Sequence, residues 1–147
     1  MLPADADEAT PRAVRLTVAP EPRLLGTIRL VVATAARRAG LDDEQVEDLK
    51  VAVSELCSAA VSQGRGPVEV HLAEQGDRLV VEVVDAGPAA PSGAAGGALV
   101  DDRAFGLALV GSLVDGLEAG AGEGGGRSTR FWLRVGGQAP PQAPGPA

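Results

Sequence analysis

Apolar residues fall along this chain in two rhythms, one of three and four positions and one of two, and the switches between them divide it into elements. Val46, Leu49, Val53, Leu56 and Ala60 recur three and four apart, which lays one apolar stripe along a helix. This helix is predicted from Asp42 to Gly64, with an acid at Asp42 or Asp43 to cap it and Glu44, Glu47 and Asp48 in its early turns. Acids suit the positive end of the helix dipole, and a terminal glycine adopts the left-handed cap without strain. A second amphipathic helix is predicted from Arg23 to Ala39, with Leu24, Ile28, Val31, Val32 and Ala35 apolar and Arg37, Arg38 and Gly40 at its end. The connection between the two is short, so they pack side by side.

Elsewhere the rhythm is two. Ala13–Val18 alternates, and Pro20 and Pro22 break it. Val68–Ala73 and Arg78–Val84 alternate on either side of Glu74-Gln75-Gly76-Asp77, the signature of a hairpin. Residues 86–102 hold glycine, alanine and proline with hardly a large side chain, which predicts a long mobile loop of functional character. Phe105 opens a short helix to about Leu113, Leu117–Ala119 is a short strand, and a Gly-rich turn at 120–126 leads to a last strand, Ser128–Val135. There Phe131, Leu133 and Val135 alternate against Arg130, Trp132 and Arg134. Helices come grouped and strands mostly in sequence, so the fold class expected is α+β, a two-layer sandwich with helices on one face of a mixed sheet.

Composition sharpens this picture. Of 147 residues, none is Tyr, one is Trp and two are Phe, so Ala, Val and Leu have to fill the core. Residues 1–11 read as a flexible lead, 12–135 as one domain, and 136–147 as a disordered Pro/Gly-rich tail. A net charge of −7 argues against binding nucleic acid or an anionic membrane. No spanning run or secretory segment is seen, and a cytoplasmic location is expected. Cys57 is alone and sits on the long helix as a small core residue. His71, the single histidine, falls among strand residues without a second ligand nearby.

Candidate chemistry gathers at three places. Glu55 lies just off the apolar stripe with Ala59 one turn on; Asp85-Ala86-Gly87-Pro88 ends a strand; and Ala104-Phe105-Gly106-Leu107 opens a helix. In this order and with these flanking elements, the chain resembles the Bergerat (histidine-kinase-like) ATPases, and within them the bacterial anti-sigma-factor serine kinases of partner-switching systems. The likeness runs from about Ala13 to Val135. The family's E-x-x-x-N box is matched by Ser54-Glu55-Leu56-Cys57-Ser58-Ala59, its D-x-G-x-G by Asp85-Ala86-Gly87-Pro88-Ala89, and its G-x-G by Ala104-Phe105-Gly106.

The resemblance implies ATP and Mg²⁺ as cofactors. It makes Glu55 the catalytic residue that positions or deprotonates the attacking group, and Asp85 the acceptor for the adenine amine. It gives Gly87 close backbone approach to the ring. Phe105, Gly106 and Leu107 stand at the phosphate end, where Gly106 opens a helix whose amides cradle phosphate, and Arg103 and Arg127 are candidate phosphate contacts. The chain departs from the pattern where the metal-binding Asn becomes Ala59, since a methyl group supplies no oxygen ligand to Mg²⁺, and where glycines become Ala89 and Ala104. The partners implied are an alternative sigma factor and an anti-sigma-factor antagonist, and the apolar faces of a small sheet suit a homodimer. Three readings follow: an anti-sigma factor with weakened or lost ATP binding and serine kinase activity, an active kinase of the antagonist, and a nucleotide-free scaffold.

Overall fold

The computed structural model describes residues 12–87, 97–122 and 125–136, with only the backbone described for 97–103. In chain order the elements are β1 (Ala13–Val18), a 3-10 turn (Pro22–Leu24), α1 (Leu25–Ala39), α2 (Asp43–Gln63), β2 (Val68–Gln75), β3 (Arg78–Asp85), α3 (Gly97–Leu113), β4 (Gly116–Ala121) and β5 (Arg127–Arg134). The expected lead, most of the expected tail and residues 88–96 of the expected loop lie outside the described residues.

Helix ends follow local chemistry. Asp42 is the cap of α2: its carboxylate accepts from the Gln45 amide at 2.8 Å, and the Gln45 side chain accepts from the Asp42 amide at 3.0 Å. This reciprocal box satisfies two of the amide donors that a helix start leaves unpaired. Gly40 and Gly64 end α1 and α2 at φ of 104° and 62°, a conformation in which a Cβ would be strained.

The strands form one five-stranded sheet in the order β1-β2-β3-β5-β4. Every neighbouring pair is antiparallel, which corrects the expectation of a mixed sheet. The reason is topological. Two helices separate β1 from β2, so the chain returns to the end where β1 finished and β2 runs back along it. One helix separates β3 from β4, so these two run the same way, but β5 lies between them and pairs antiparallel with both.

One sheet face carries the core. On β2, Val68, Val70 and Leu72 are buried; on β3, Leu79, Val81 and Val83; on β5, Thr129, Phe131 and Leu133. They meet Ile28, Val32 and Ala36 of α1 and Val46, Leu49, Ala52, Val53, Leu56 and Ala60 of α2. Alanines at the helix contacts bring the two helices close, which compensates for the scarcity of aromatic residues. On the opposite face Trp132 lies under the Arg78 guanidinium, 4.7 Å from the ring centroid, and over Gly116. A Cβ at Gly116 would collide with the indole ring of Trp132.

The helix α3 begins at Gly97, inside the stretch read as loop, and not at Phe105. The Gly- and Ala-rich composition hid it. Among the described residues, no helix is long and apolar enough to cross a membrane.

Candidate functional site

The period of two decides what meets at one end of the sheet. On β3 the core-facing positions run Leu79, Val81, Val83 and then Asp85; on β5 they run Leu133, Phe131, Thr129 and then Arg127. The antiparallel register pairs Val83 with Thr129 and Asp85 with Arg127, so two opposite charges end up directly across from each other on the inner face. Arg127 is 4% exposed, and the side chain of Asp85 is 11% exposed.

Both carboxylate oxygens of Asp85 are engaged. The Arg127 Nε donates to Oδ1 at 3.0 Å and Arg127 NH2 donates to Oδ2 at 3.1 Å, the two-pronged arrangement for which guanidinium and carboxylate are matched. The Gly87 amide donates to Oδ1 at 2.7 Å, folding the chain back just after β3. The surroundings are tight: a Cβ on Gly87 would lie 2.8 Å from Gln63 Oε1 and 3.0 Å from the Arg127 guanidinium carbon. One on Gly126 would collide with the Asp85 carbonyl oxygen.

The helices close the site from above. Glu55, Leu56 and Ala59 of α2 and Gly106 and Leu107 of α3 meet Val83, Asp85, Arg127 and Thr129 of the sheet around a cavity of about 30 Å³. That is room for a water molecule or two. Glu55 leans against the α3 backbone, because a Cβ on Gly106 would lie 2.9 Å from its Oε2. Glu55 also borders an open groove on the outer helical face, about 340 Å³ in volume, with Arg29, Lys50 and Ser54. It therefore stands between a small, partly open inner cavity and an open outer surface. Behind it on α2, the Cys57 thiol is pushed up to about 12, first by burial and then by the negative charge of Asp85.

Of the residues expected at the site, Glu55, Asp85, Gly106 and Leu107 line one cavity, and Gly87 is bonded to Asp85 at its edge. Phe105 is not among them; it is 71% exposed, because its position on α3 turns it away from α2. Arg103 has its side chain outside the described residues, as Ala89 does entirely. Gly106 does not open a helix. It lies within α3, whose start is at Gly97, so its amide belongs to the helix ladder and is not free for phosphate.

Two residues that the sequence reading undervalued are central. Arg127, taken as a phosphate contact, is inside the site, and Thr129 is a buried lining residue at 4% exposure. Carrying the alternation of Phe131 and Leu133 two steps back along β5 places both on the core face.

The fit of adenine and magnesium follows from these contacts. Ala59 is exposed and ends in a methyl group, and no group of three or more His, Cys, Asp or Glu able to hold a metal occurs among the described residues. Pockets for drug-sized ligands usually offer about 300–1,000 Å³, ten times the space left beside Asp85, both of whose carboxylate oxygens already accept from Arg127. Among the described residues, little room is left for a base beside Asp85, and Ala59 offers a metal no oxygen.

Known proteins give this geometry a lineage. A model of the histidine kinase-like ATPase domain matches residues 18–132. The serine-protein kinases RsbW of Bacillus velezensis and Bacillus subtilis are each 37% identical over 79 residues, covering 50% of this chain and 49% of theirs. The chain thus spans about half the length of these curated relatives. RsbW of Oceanobacillus iheyensis is 28% identical over 120 residues, 69% of this chain and 75% of its own. The solved structure of the RsbU and RsbW domains of a Mycobacterium tuberculosis protein superposes with a TM-score of 0.66 at 22% identity, over 84% of this chain and 32% of that one, a likeness of fold. With the family model covering most of the ordered sheet and helices, the chain belongs to the histidine kinase-like ATPase domain family.

Proposed function

We propose that this protein is an anti-sigma factor of a partner-switching system that acts by binding proteins, holding an alternative sigma factor and yielding it to an anti-sigma-factor antagonist, with the phosphoryl-transfer step lost. The observation that carries this reading is Ala59, an exposed methyl one helical turn from Glu55, where transfer from ATP would need an oxygen ligand for the metal. Without the metal the charge of the transferred phosphate goes uncompensated, and that compensation is much of what such sites contribute. Support for the partner class comes from the similarity to proteins named serine-protein kinase RsbW. In this role the protein works in the cytoplasm, where sigma factors act.

An active serine kinase is the reading that Glu55 favours, since its carboxylate borders an open groove that a protein substrate reaches from outside. One experiment separates the two. The full chain is presented to alternative sigma factors and candidate antagonists of the same genome, with and without Mg-ATP, and both complex formation and phosphoserine are measured. The proposal expects a complex whose stability ignores Mg-ATP and no phosphoserine over hours. Phosphate on the antagonist establishes the kinase, and absence of any complex overturns both.

A further inference from the structure

We propose that Arg127 is an internal gate on the base pocket: its guanidinium holds the acceptor oxygens of Asp85 and keeps a nucleobase out. This rests on the reading of Asp85 as the residue that would accept a hydrogen bond from an adenine amine, and it adds a reason for nucleotide exclusion that is independent of the missing metal ligand.

The contact is set by the backbone and not by chance side-chain placement. Asp85 and Arg127 are register partners of β3 and β5, so wherever the sheet forms, the two side chains rise together from its inner face. The chemistry matches as well. A guanidinium is planar and presents N–H donors in one plane, as the amine edge of adenine does, and it meets both carboxylate oxygens at 3.0 and 3.1 Å. A neutral amine competes poorly for a carboxylate held by a charged, two-pronged donor. Size works the same way, because with Arg127 in place the cavity among Leu56, Val83, Leu107 and Thr129 is about 30 Å³.

Arg127 is the first residue of β5, at the rim of the sheet, and it follows Gly125 at φ 99° and Gly126. The backbone there is held in place, because Arg127 pairs with Asp85 on one side and Ala121 on the other, and a Cβ on Gly126 would collide with the Asp85 carbonyl oxygen. A Cβ on neighbouring Gly87 would lie 3.0 Å from the Arg127 guanidinium carbon.

The test uses adenosine, which has no phosphate and so makes Ala59 and magnesium irrelevant. Isothermal titration of the full chain with adenosine to about 5 mM is expected to give no binding for the native protein and, for Arg127→Ala, affinity tighter by at least about tenfold. Methylguanidinium, which rebuilds the missing group inside the cavity, is expected to compete with adenosine in Arg127→Ala, a result that mere loosening of the fold does not produce. Arg127→Ser leaves a hydroxyl to donate to Asp85 and repeats the test in a gentler background. Equal adenosine affinity in native and variant proteins overturns the gate. So does failure of both variants to fold, since a gate must be separable from the fold. Sigma-factor binding by the native protein is scored alongside; if it persists while adenosine never binds any variant, the gate fails and the protein-binding function stands.

Discussion

Breaking the ion pair between Asp85 and Arg127 has a cost that the structure allows to be apportioned. Removing one partner of a buried pair typically destabilises by about 3–5 kcal/mol, because the survivor is left charged in a poor solvent, whereas removing both is far milder. In Arg127→Ala, Asp85 keeps the Gly87 amide at 2.7 Å, which places this variant near the lower end, about 3 kcal/mol. In Asp85→Ala, Arg127 loses the two acceptor contacts at 3.0 and 3.1 Å, and the Gly87 amide loses its acceptor too, so the loss lies near 4–5 kcal/mol. The loss in the double variant is expected to be at least about 2 kcal/mol smaller than the sum of the single losses, the signature of direct coupling. Urea unfolding followed by the fluorescence of Trp132 measures all four corners of this cycle. A single-variant loss of about 3 kcal/mol corresponds to a Tm drop on the order of 10 °C at this size. Additivity within about 0.5 kcal/mol, or Arg127→Ala costing more than Asp85→Ala, refutes the reasoning.

Three further outcomes are expected. The buried Cys57 thiol titrates at about 12 in the folded protein against an ordinary value of 9.0, so above pH 9 the unfolded chain ionises first. The stability this group contributes is complete below pH 9 and falls by roughly 1 kcal/mol per pH unit up to pH 12; denaturation at stepped alkaline pH is expected to show this slope in the native protein and its loss in Cys57→Ala. Gly116→Ala drives a methyl into the Trp132 indole, with an expected cost of about 1–3 kcal/mol and a shifted Trp132 emission; an unchanged spectrum and stability would show that the ring does not lie over Gly116. Ala59→Asn restores an oxygen ligand at an exposed helical position yet leaves Arg127 on Asp85, so calorimetry is expected to find no Mg-ATP binding in this variant and binding only when it is combined with Arg127→Ala. Full Mg-ATP binding by Ala59→Asn alone would mean that the metal ligand was the whole block.

Much of this protein is legible in one dimension. The span of α2, its Asp42 cap, its Gly64 stop and the inward stripe from Val46 to Ala60 all depend on residues within a turn or two of each other, and period and capping chemistry report them directly. The hairpin of β2 and β3 is local for the same reason. So are the placements of Glu55 on the helix edge and Asp85 at a strand end. The start of α3 was hidden because a run of glycine and alanine has no period for a helix or a loop to display. The antiparallel order of the sheet escaped as well, since insertion of β5 between β3 and β4 leaves no mark on either strand. Above all, the meeting of Asp85 and Arg127, 42 residues apart, exists only through the β3–β5 register. Sequence determined that this chain builds a family fold with a charged strand end and a methyl, Ala59, one turn from Glu55. Tertiary structure alone decided that the charge is answered from within the chain, because cross-strand pairing brings distant residues together and burial then makes their mutual neutralisation obligatory.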